Sequence, residues 1–494
     1  MSVKPIELAT VAGISVPTGH YIDGRHVSSA ESFATNSPID GRLLAQISLG
    51  REHEVDAAVS AADAAFPAWA ALGPEGRLPY LQRFAAGIQA RGDDLARIES
   101  EDAGVLLSRM QHGVVARSAS NIGFFAEYAL KLADRRIEGD AATHRLRYDA
   151  AGPCAIVTPW NGPLMLATWR VGPALAAGNT VVLKPPEWAP LTCALLGQIA
   201  HDAGLPPGVF NVLHGTGEPT GARLVADPRI RRIAFTGSVP TAKAIARVAA
   251  ENLVPCGFEL GGKSAFVVLE DADLDAAAGT AALMYRNAGQ VCLAGTRFLV
   301  HEAVAEDFQR RMHSYVEKLK VGDPREPSTE IGPLIHPRQF ARVSGFVERA
   351  LQAGARAAWG GARHEFGAQY YQPTLITNVD SADEIVRNEV FGPVLVWQTF
   401  QDDAEAIARA NDSHYGLAGV IWGEQGHATA VADQVRTGMI WVNAYFLRDL
   451  VAPFGGIRNS GIGREGGEWS FEFYCDLKDV MLPKKPYRAS FSHS

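Results

Sequence analysis

A chain of 494 residues, 47% hydrophobic and 20% charged, has ordinary globular composition and is too long for one core, so two or three domains are expected. A formal net charge of −8 with scattered lysines and arginines excludes a nucleic-acid footprint. Five cysteines (Cys154, Cys193, Cys256, Cys292, Cys475) without a CxxC pair suit a reducing compartment, and no His/Cys cluster has metal-ligand spacing, so no metal is expected.

Residues 1–17 lack the pattern of a signal peptide, and no apolar run approaches the roughly 20 residues of a membrane helix, which makes the expected address cytoplasmic. Residues 21–27 read as a hairpin turning at Asp23-Gly24. Residues 52–107 have helical, alanine-rich spacing, broken near Leu72-Gly73-Pro74, and residues 135–148 form a short polar excursion. Strand-like stretches at 154–158, 180–184, 209–213 and 232–235 then alternate with helical patterns at 164–176, 192–203, 221–226 and 242–251. A second series of strands is expected at 265–269, 298–301, 374–376, 394–400 and 419–422. Such alternation makes βαβ units and parallel sheets, an α/β fold class.

Three stretches carry chemistry. Cys292 follows an expected helix end and sits among small residues from Asn287 to Arg297, a setting that exposes a thiol and stabilises its thiolate. Glu259 lies between Phe258 and Leu260, where partial desolvation raises a carboxyl group toward the range of a general base, and Gly261-Gly262 lets a ligand approach the backbone. Thr158-Pro159-Trp160-Asn161 closes an apolar strand, where an amide can donate to a developing oxyanion in the crevice at the sheet's carboxyl end. Each has a plainer alternative taken alone: a packed cysteine, a solvated carboxylate, a turn. Two patterns are set aside. The GxGxxG run from Gly461 to Gly466 has no βαβ unit after it and reads as a turn over the active site. Asp271, Asp273 and Asp275 lack the glycine and glutamate of a calcium loop and fit a helix N-terminus.

In their order and spacing these stretches resemble the aldehyde dehydrogenase superfamily over nearly the whole chain. Further matches are Lys184-Pro185-Pro186-Glu187, Phe235-Thr236-Gly237-Ser238, Glu389-Val390-Phe391-Gly392-Pro393, Tyr415-Gly416-Leu417 and Pro453-Phe454-Gly455-Gly456. The resemblance implies two Rossmann-like parallel-sheet domains and a small β oligomerisation element. The NAD-binding domain would comprise 1–131 and 151–261, and the catalytic domain 262–462 with a return segment at 463–475. Residues 132–150 and 476–494 would form the oligomerisation element and tail of a homodimer or homotetramer.

The implied reaction is NAD-dependent oxidation of an aldehyde to a carboxylic acid. Cys292 would attack the carbonyl, Asn161 and the Cys292 amide would hold the oxyanion, and Glu259 would activate the water that hydrolyses a thioester. For the cofactor, the resemblance assigns Lys184 and Glu187 to the adenosine ribose, Gly217 and Gly221 to the adenine side, and Gly237 and Ser238 to the pyrophosphate turn. Glu389 and Phe391 would position the nicotinamide half, and Thr158, Trp160 and Leu260 are further expected cofactor contacts. A carboxylate at Glu187 favours NAD over NADP. The pyrophosphate turn departs from the family by running on through Val239 and Pro240, which a first helical turn accommodates.

Within the family, Arg448-Asp449-Leu450 and residues 463–472 look most like the semialdehyde dehydrogenases of aromatic-ring breakdown, which are expected to hold a muconate-type carboxylate with two arginines. Arg117 matches one arginine, but Val451 stands where the other is expected. With Val451 the pocket of Gly162, Leu166, Trp169, Val291, Leu293 and Phe454 reads as apolar, and Gly162 widens it. The expected substrate is therefore an aromatic or other bulky apolar aldehyde. A muconate-type semialdehyde is the alternative, with Arg448 or Arg458 replacing the missing arginine. An inactive structural member or a cofactor-free thiol hydrolase fits less well, because the catalytic trio and the ribose pair are all present.

Overall fold

In the computed structural model, which describes residues 7–132 and 135–487, the alternation of strands and helices becomes two separate sheets. The parts of the expected domains at 1–6, 133–134 and 488–494 lie outside the described residues. The first sheet has eight strands in the order Gly461–Ile462, Cys256–Leu260, Arg232–Gly237, Cys154–Val157, Val181–Lys184, Phe210–Val212, His20–Ile22 and Arg25–Val27. From Cys256–Leu260 to Phe210–Val212 neighbouring strands are parallel. Side chains alternate across such a sheet, so each strand feeds two cores. Cys154, Ile156, Val181 and Leu183 pack with the helices Pro163–Ala177 and Leu191–Asp202. Ala155, Val182, Ile233 and Phe235 pack on the other face with Glu52–Ala71 and Val239–Glu251. Both faces are covered, which is why these strands read as continuous apolar runs.

The second sheet has seven strands, in the order Arg356–Trp359, Thr374–Thr377, Val394–Phe400, Arg297–His301, Ala265–Val268, Ala418–Trp422 and Met439–Val442. All its pairings are parallel except that of the edge strand Arg356–Trp359. The polar excursion and the tail come together as a third, antiparallel sheet of Cys475–Pro483, Ala142–Ala150 and Arg135–Glu138. Its outer strands leave unpaired edges and expose Ile137, Leu477, Met481 and Leu482.

Local details follow the sequence closely. Asp23 and Gly24 both take left-handed conformations, φ 51° and 72°, as a two-residue hairpin turn requires. Asp273 accepts from the amides of Asp275 and Ala276 and caps the helix Leu274–Ala282, as expected of a helix N-terminus rather than a calcium loop. Ser238 caps Val239–Glu251 with Pro240 in its first turn, so the altered sequence there still starts a helix. Three points differ. Glu259 lies within a strand, Cys256–Leu260, that is absent from the expected series, because Cys256 and the glycine after it mask the apolar run. Arg356–Trp359 and Met439–Val442 are additional strands, partly exposed and too short for a clear period. Gly461–Ile462 pairs with Phe258 and Glu259, so the chain rejoins the first sheet at 461, ahead of the expected return at 463. Among the described residues no helix is long and apolar enough to cross a membrane.

Candidate active site

The carboxyl ends of the two sheets' strands meet across a cleft, and crossed hydrogen bonds fix them there. Asn161, just past the strand Cys154–Val157, donates through Nδ2 to the Gln290 carbonyl at 2.9 Å. Asn287 donates back to the Asn161 carbonyl at 3.1 Å. Gln290 is itself anchored, donating through Nε2 to Asn287 O at 2.9 Å and accepting from the Ile335 amide at 3.0 Å. Behind these contacts the chain is bent tightly. Asn287, Ala288 and Gly289 are consecutive left-handed residues, with φ of 55°, 53° and 68°. A Cβ on Gly289 would stand 2.0 Å from the Gly392 carbonyl, so this turn admits only glycine. Two residues past Gln290, Cys292 is delivered to the floor of a cavity of about 620 Å³.

Glu259 reaches the same cavity from the first sheet and is 7% exposed. Burial, and next the Glu465 carboxylate, push its carboxyl group well above the usual carboxylate range, against the pull of Arg170, Arg448 and Arg464. This is the direction a general base near neutrality requires. The glycine-rich turn does lie beside Glu259: Gly461 pairs with its backbone and Glu465 acts on its carboxyl group, while Gly455, from the stretch before the turn, would place a Cβ 2.7 Å from Oε1.

Cys292 departs from expectation. Burial, then the carboxylates of Glu389 and Glu259, push its thiol up to about 12, so the thiolate is disfavoured in this arrangement. The residues before it form an irregular turn, not a helix end whose dipole stabilises an anion. Arg448 and the Cys292 amide favour the thiolate but do not outweigh those effects. The thiol therefore needs a proton acceptor, and Glu259 lines the same cavity.

Glu465 and Arg170 escaped the sequence reading. Glu465 accepts from Trp169 Nε1 and pairs with the buried Arg170, beside Glu259. Arg170 sits in no recognisable motif, and a glutamate inside a glycine-rich turn reads as solvated.

On the cofactor side, Trp160, Gly237, Ser238, Leu260, Glu389 and Phe391 line the same cavity, joined by Gln339 and Arg342, which the sequence did not single out. Glu389 accepts from the Gly262 amide at 3.0 Å, and a Cβ on Gly261 would fall 1.9 Å from its carboxylate, so the group that approaches this glycine pair in the structure is the Glu389 side chain. Lys184 is buried, its Nζ 3.4 Å from Glu187 Oε2, and Gly221 lies against its stem. Gly217 has open space around it, and the buried Thr158 hydroxyl has no partner. Thr158, Lys184, Glu187, Gly217 and Gly221 lie outside the lining of the cavity that Cys292 and Glu259 share, and their orphaned hydroxyl and buried Lys–Glu pair suit the polar groups of a nucleotide.

The expected pocket residues Gly162, Leu166, Trp169, Val291, Leu293 and Phe454 all line the cavity. Val451 does not. It is 53% exposed on the outer surface, so an apolar wall built on it is corrected. Arg117 also lies outside the lining, with Nε donating to Asn121 Oδ1 at 3.2 Å and its guanidinium 5.8 Å above the Trp169 ring. Arg448 lines the cavity instead, its guanidinium carbon 3.8 Å from the Phe454 ring centre and 4.6 Å from that of Trp169. Its Nη2 is buried without a hydrogen-bond partner. Arg458 is committed elsewhere, to the carbonyls of Asn411 and Ser413. A second guanidinium, Arg109, lines the cavity near Arg286 and Tyr445.

Comparison with known proteins agrees with this geometry. Residues 26–480 match the Aldehyde dehydrogenase family. The chain is 40% identical over 479 residues to 2-hydroxymuconic semialdehyde dehydrogenase of Pseudomonas sp. (strain CF600), covering 94% of this chain and 99% of that protein. It is 34% identical to human 2-aminomuconic semialdehyde dehydrogenase, covering 94% and 97%. Among solved structures, HpcC from Thermus thermophilus superposes with a TM-score of 0.93 at 40% identity, covering 98% of this chain and 99% of the other. An indole-3-acetaldehyde dehydrogenase complexed with NAD+ does so at 0.93 and 36% identity, covering 95% and 97%. With a cysteine, a buried glutamate and an asparagine converging between two parallel sheets, and with relatives matched from end to end, the chain belongs to the aldehyde dehydrogenase family.

Proposed function

We propose that the protein uses NAD to oxidise a carboxylate-bearing aldehyde, of the muconate-semialdehyde type, to the acid through a thioester on Cys292. The convergence of Cys292, Glu259 and Asn161 on one cavity carries the reading. Cys292 passes its proton to Glu259 and its sulfur bonds the aldehyde carbon. Asn161 Nδ2 carries two N–H groups and Gln290 takes one, so the other can donate to the oxyanion alongside the Cys292 amide, each contact contributing about 3 kcal/mol. When bound, NAD supplies the hydride acceptor. Glu259 gives up the Cys292 proton to solvent, then takes a proton from water as that water attacks the thioester, and returns this proton to the sulfur as the acid leaves and the Cys292 thiol is restored.

Two arginines support the carboxylate. Arg448 occupies the role left by Val451, and neither it nor Arg109 has a carboxylate ion-pair partner among the described residues. A buried guanidinium with an unsatisfied N–H is stabilised by an anionic ligand.

NADH formation with purified enzyme tests these assignments together. Cys292→Ala should abolish turnover while leaving NAD binding intact, and substantial turnover by this variant would remove Cys292 from the mechanism. A muconate semialdehyde should be used at least about tenfold more efficiently than benzaldehyde, since a charge-assisted hydrogen bond is worth about that factor or more. Preference for benzaldehyde would reject the carboxylate reading. NAD should be favoured over NADP by roughly tenfold through Glu187, softened by Lys184. Equal efficiency with NADP would show that Glu187 does not face the ribose.

A further inference from the structure

A closed circuit of contacts surrounds the cofactor cleft. Trp160, past the strand Cys154–Val157, packs edge-on against Phe391 with ring centres 5.3 Å apart. It also lies 5.8 Å from Trp188, the residue after Glu187. Trp188 stacks face to face on His336, with centres 4.3 Å apart and planes within 3°. His336 caps the helix Pro337–Gln352, its Nδ1 accepting from the Arg338 amide at 3.1 Å. From that helix Gln339 donates to the Phe391 carbonyl at 2.7 Å and Arg342 to the Glu389 carbonyl at 2.6 Å, which closes the circuit. Phe391 is held left-handed, at φ 60°, a conformation that costs free energy unless its surroundings impose it.

His336 has two separable jobs in this circuit. As a cap it accepts one amide, which requires an unprotonated Nδ1. As a flat ring it joins the segment carrying Glu187, beside the first sheet, to the helix that fixes Glu389 and Phe391, beside the second. The cap serves the helix alone, whereas the stack spans the cleft.

We propose that the stacked His336–Trp188 pair is a latch holding the cofactor cleft at the width at which Glu187 and Glu389 grip opposite ends of NAD. His336 is then a positioning residue for the cofactor and touches no reacting atom. The proposal rests on NAD occupying this cleft, as the proposed function has it.

Substitutions that split the two jobs test it. His336→Phe keeps a flat ring and removes the cap; His336→Asn keeps a capping oxygen and removes the stack; Trp188→Leu removes the stack from the other side. NAD affinity by calorimetry and steady-state KM for NAD and kcat are measured for each. His336→Asn and Trp188→Leu should weaken NAD binding and raise its KM by roughly threefold to tenfold, the range of one aromatic pair, with kcat not reduced. His336→Phe should stay within about twofold of the unaltered enzyme despite a lower melting temperature from the lost cap. The reverse pattern, with Asn harmless and Phe harmful, would reduce His336 to a cap and overturn the latch. So would unchanged NAD affinity in both stack-breaking variants. An unaltered enzyme that binds no NAD would reject the functional reading itself, an outcome distinct from either.

Discussion

The site depends on two crossed amide–carbonyl contacts, Asn161 to Gln290 and Asn287 to Asn161. Each sheet could be packed correctly without them, and the nucleophile would still be misplaced. Asn161 hangs from the end of a first-sheet strand, and Gln290 and Asn287 belong to the turn leading to Cys292. Because the contacts are reciprocal, a shift of either side breaks both. They also explain the left-handed run at Asn287, Ala288 and Gly289: the turn must bring the Asn287 amide and the Gln290 carbonyl to one point, which a regular helix end cannot do.

The second constraint is electrostatic. Glu259 and Glu465 are buried side by side, with Arg170, Arg448 and Arg464 as the nearby cations. Two carboxylates with so little water around them disfavour both being ionised, and this raises the proton affinity of Glu259. Burial, and then the carboxylates of Glu389 and Glu259, hold Cys292 in its thiol form. In the proposed reaction, a protonated thiol that shares a cavity with a strong proton acceptor is a guarded nucleophile, released when the proton moves.

Much of this was legible in the sequence because it rests on local rules. Asp23-Gly24, the break at Gly73, the Asp273 cap and the buried parallel strands each follow from conformational or periodic signals within a few residues. Cys292, Glu259 and Asn161 were legible as motifs, and the structure brings them together. What stayed hidden depends on partners distant in the chain. Glu465 gains its role from Trp169 and Arg170, nearly three hundred residues away, so nothing local marks it. Val451 and Arg448 show the same limit. Three residues apart on a loop, one points to solvent and the other stacks on Phe454, and loop sequence carries no period from which to read the difference.

The central claim is that oxidation passes through an acyl group on Cys292 whose release depends on Glu259. The direct measurement is the intact mass of Glu259→Gln after mixing with NAD and a muconate semialdehyde, taken alongside the NADH formed in the first turnover. Because Glu259 also takes the Cys292 proton, the account predicts a slowed first turnover giving one equivalent of NADH at most, followed by arrest, with the acyl mass retained on the peptide containing Cys292. Sustained turnover without a retained acyl group would contradict it.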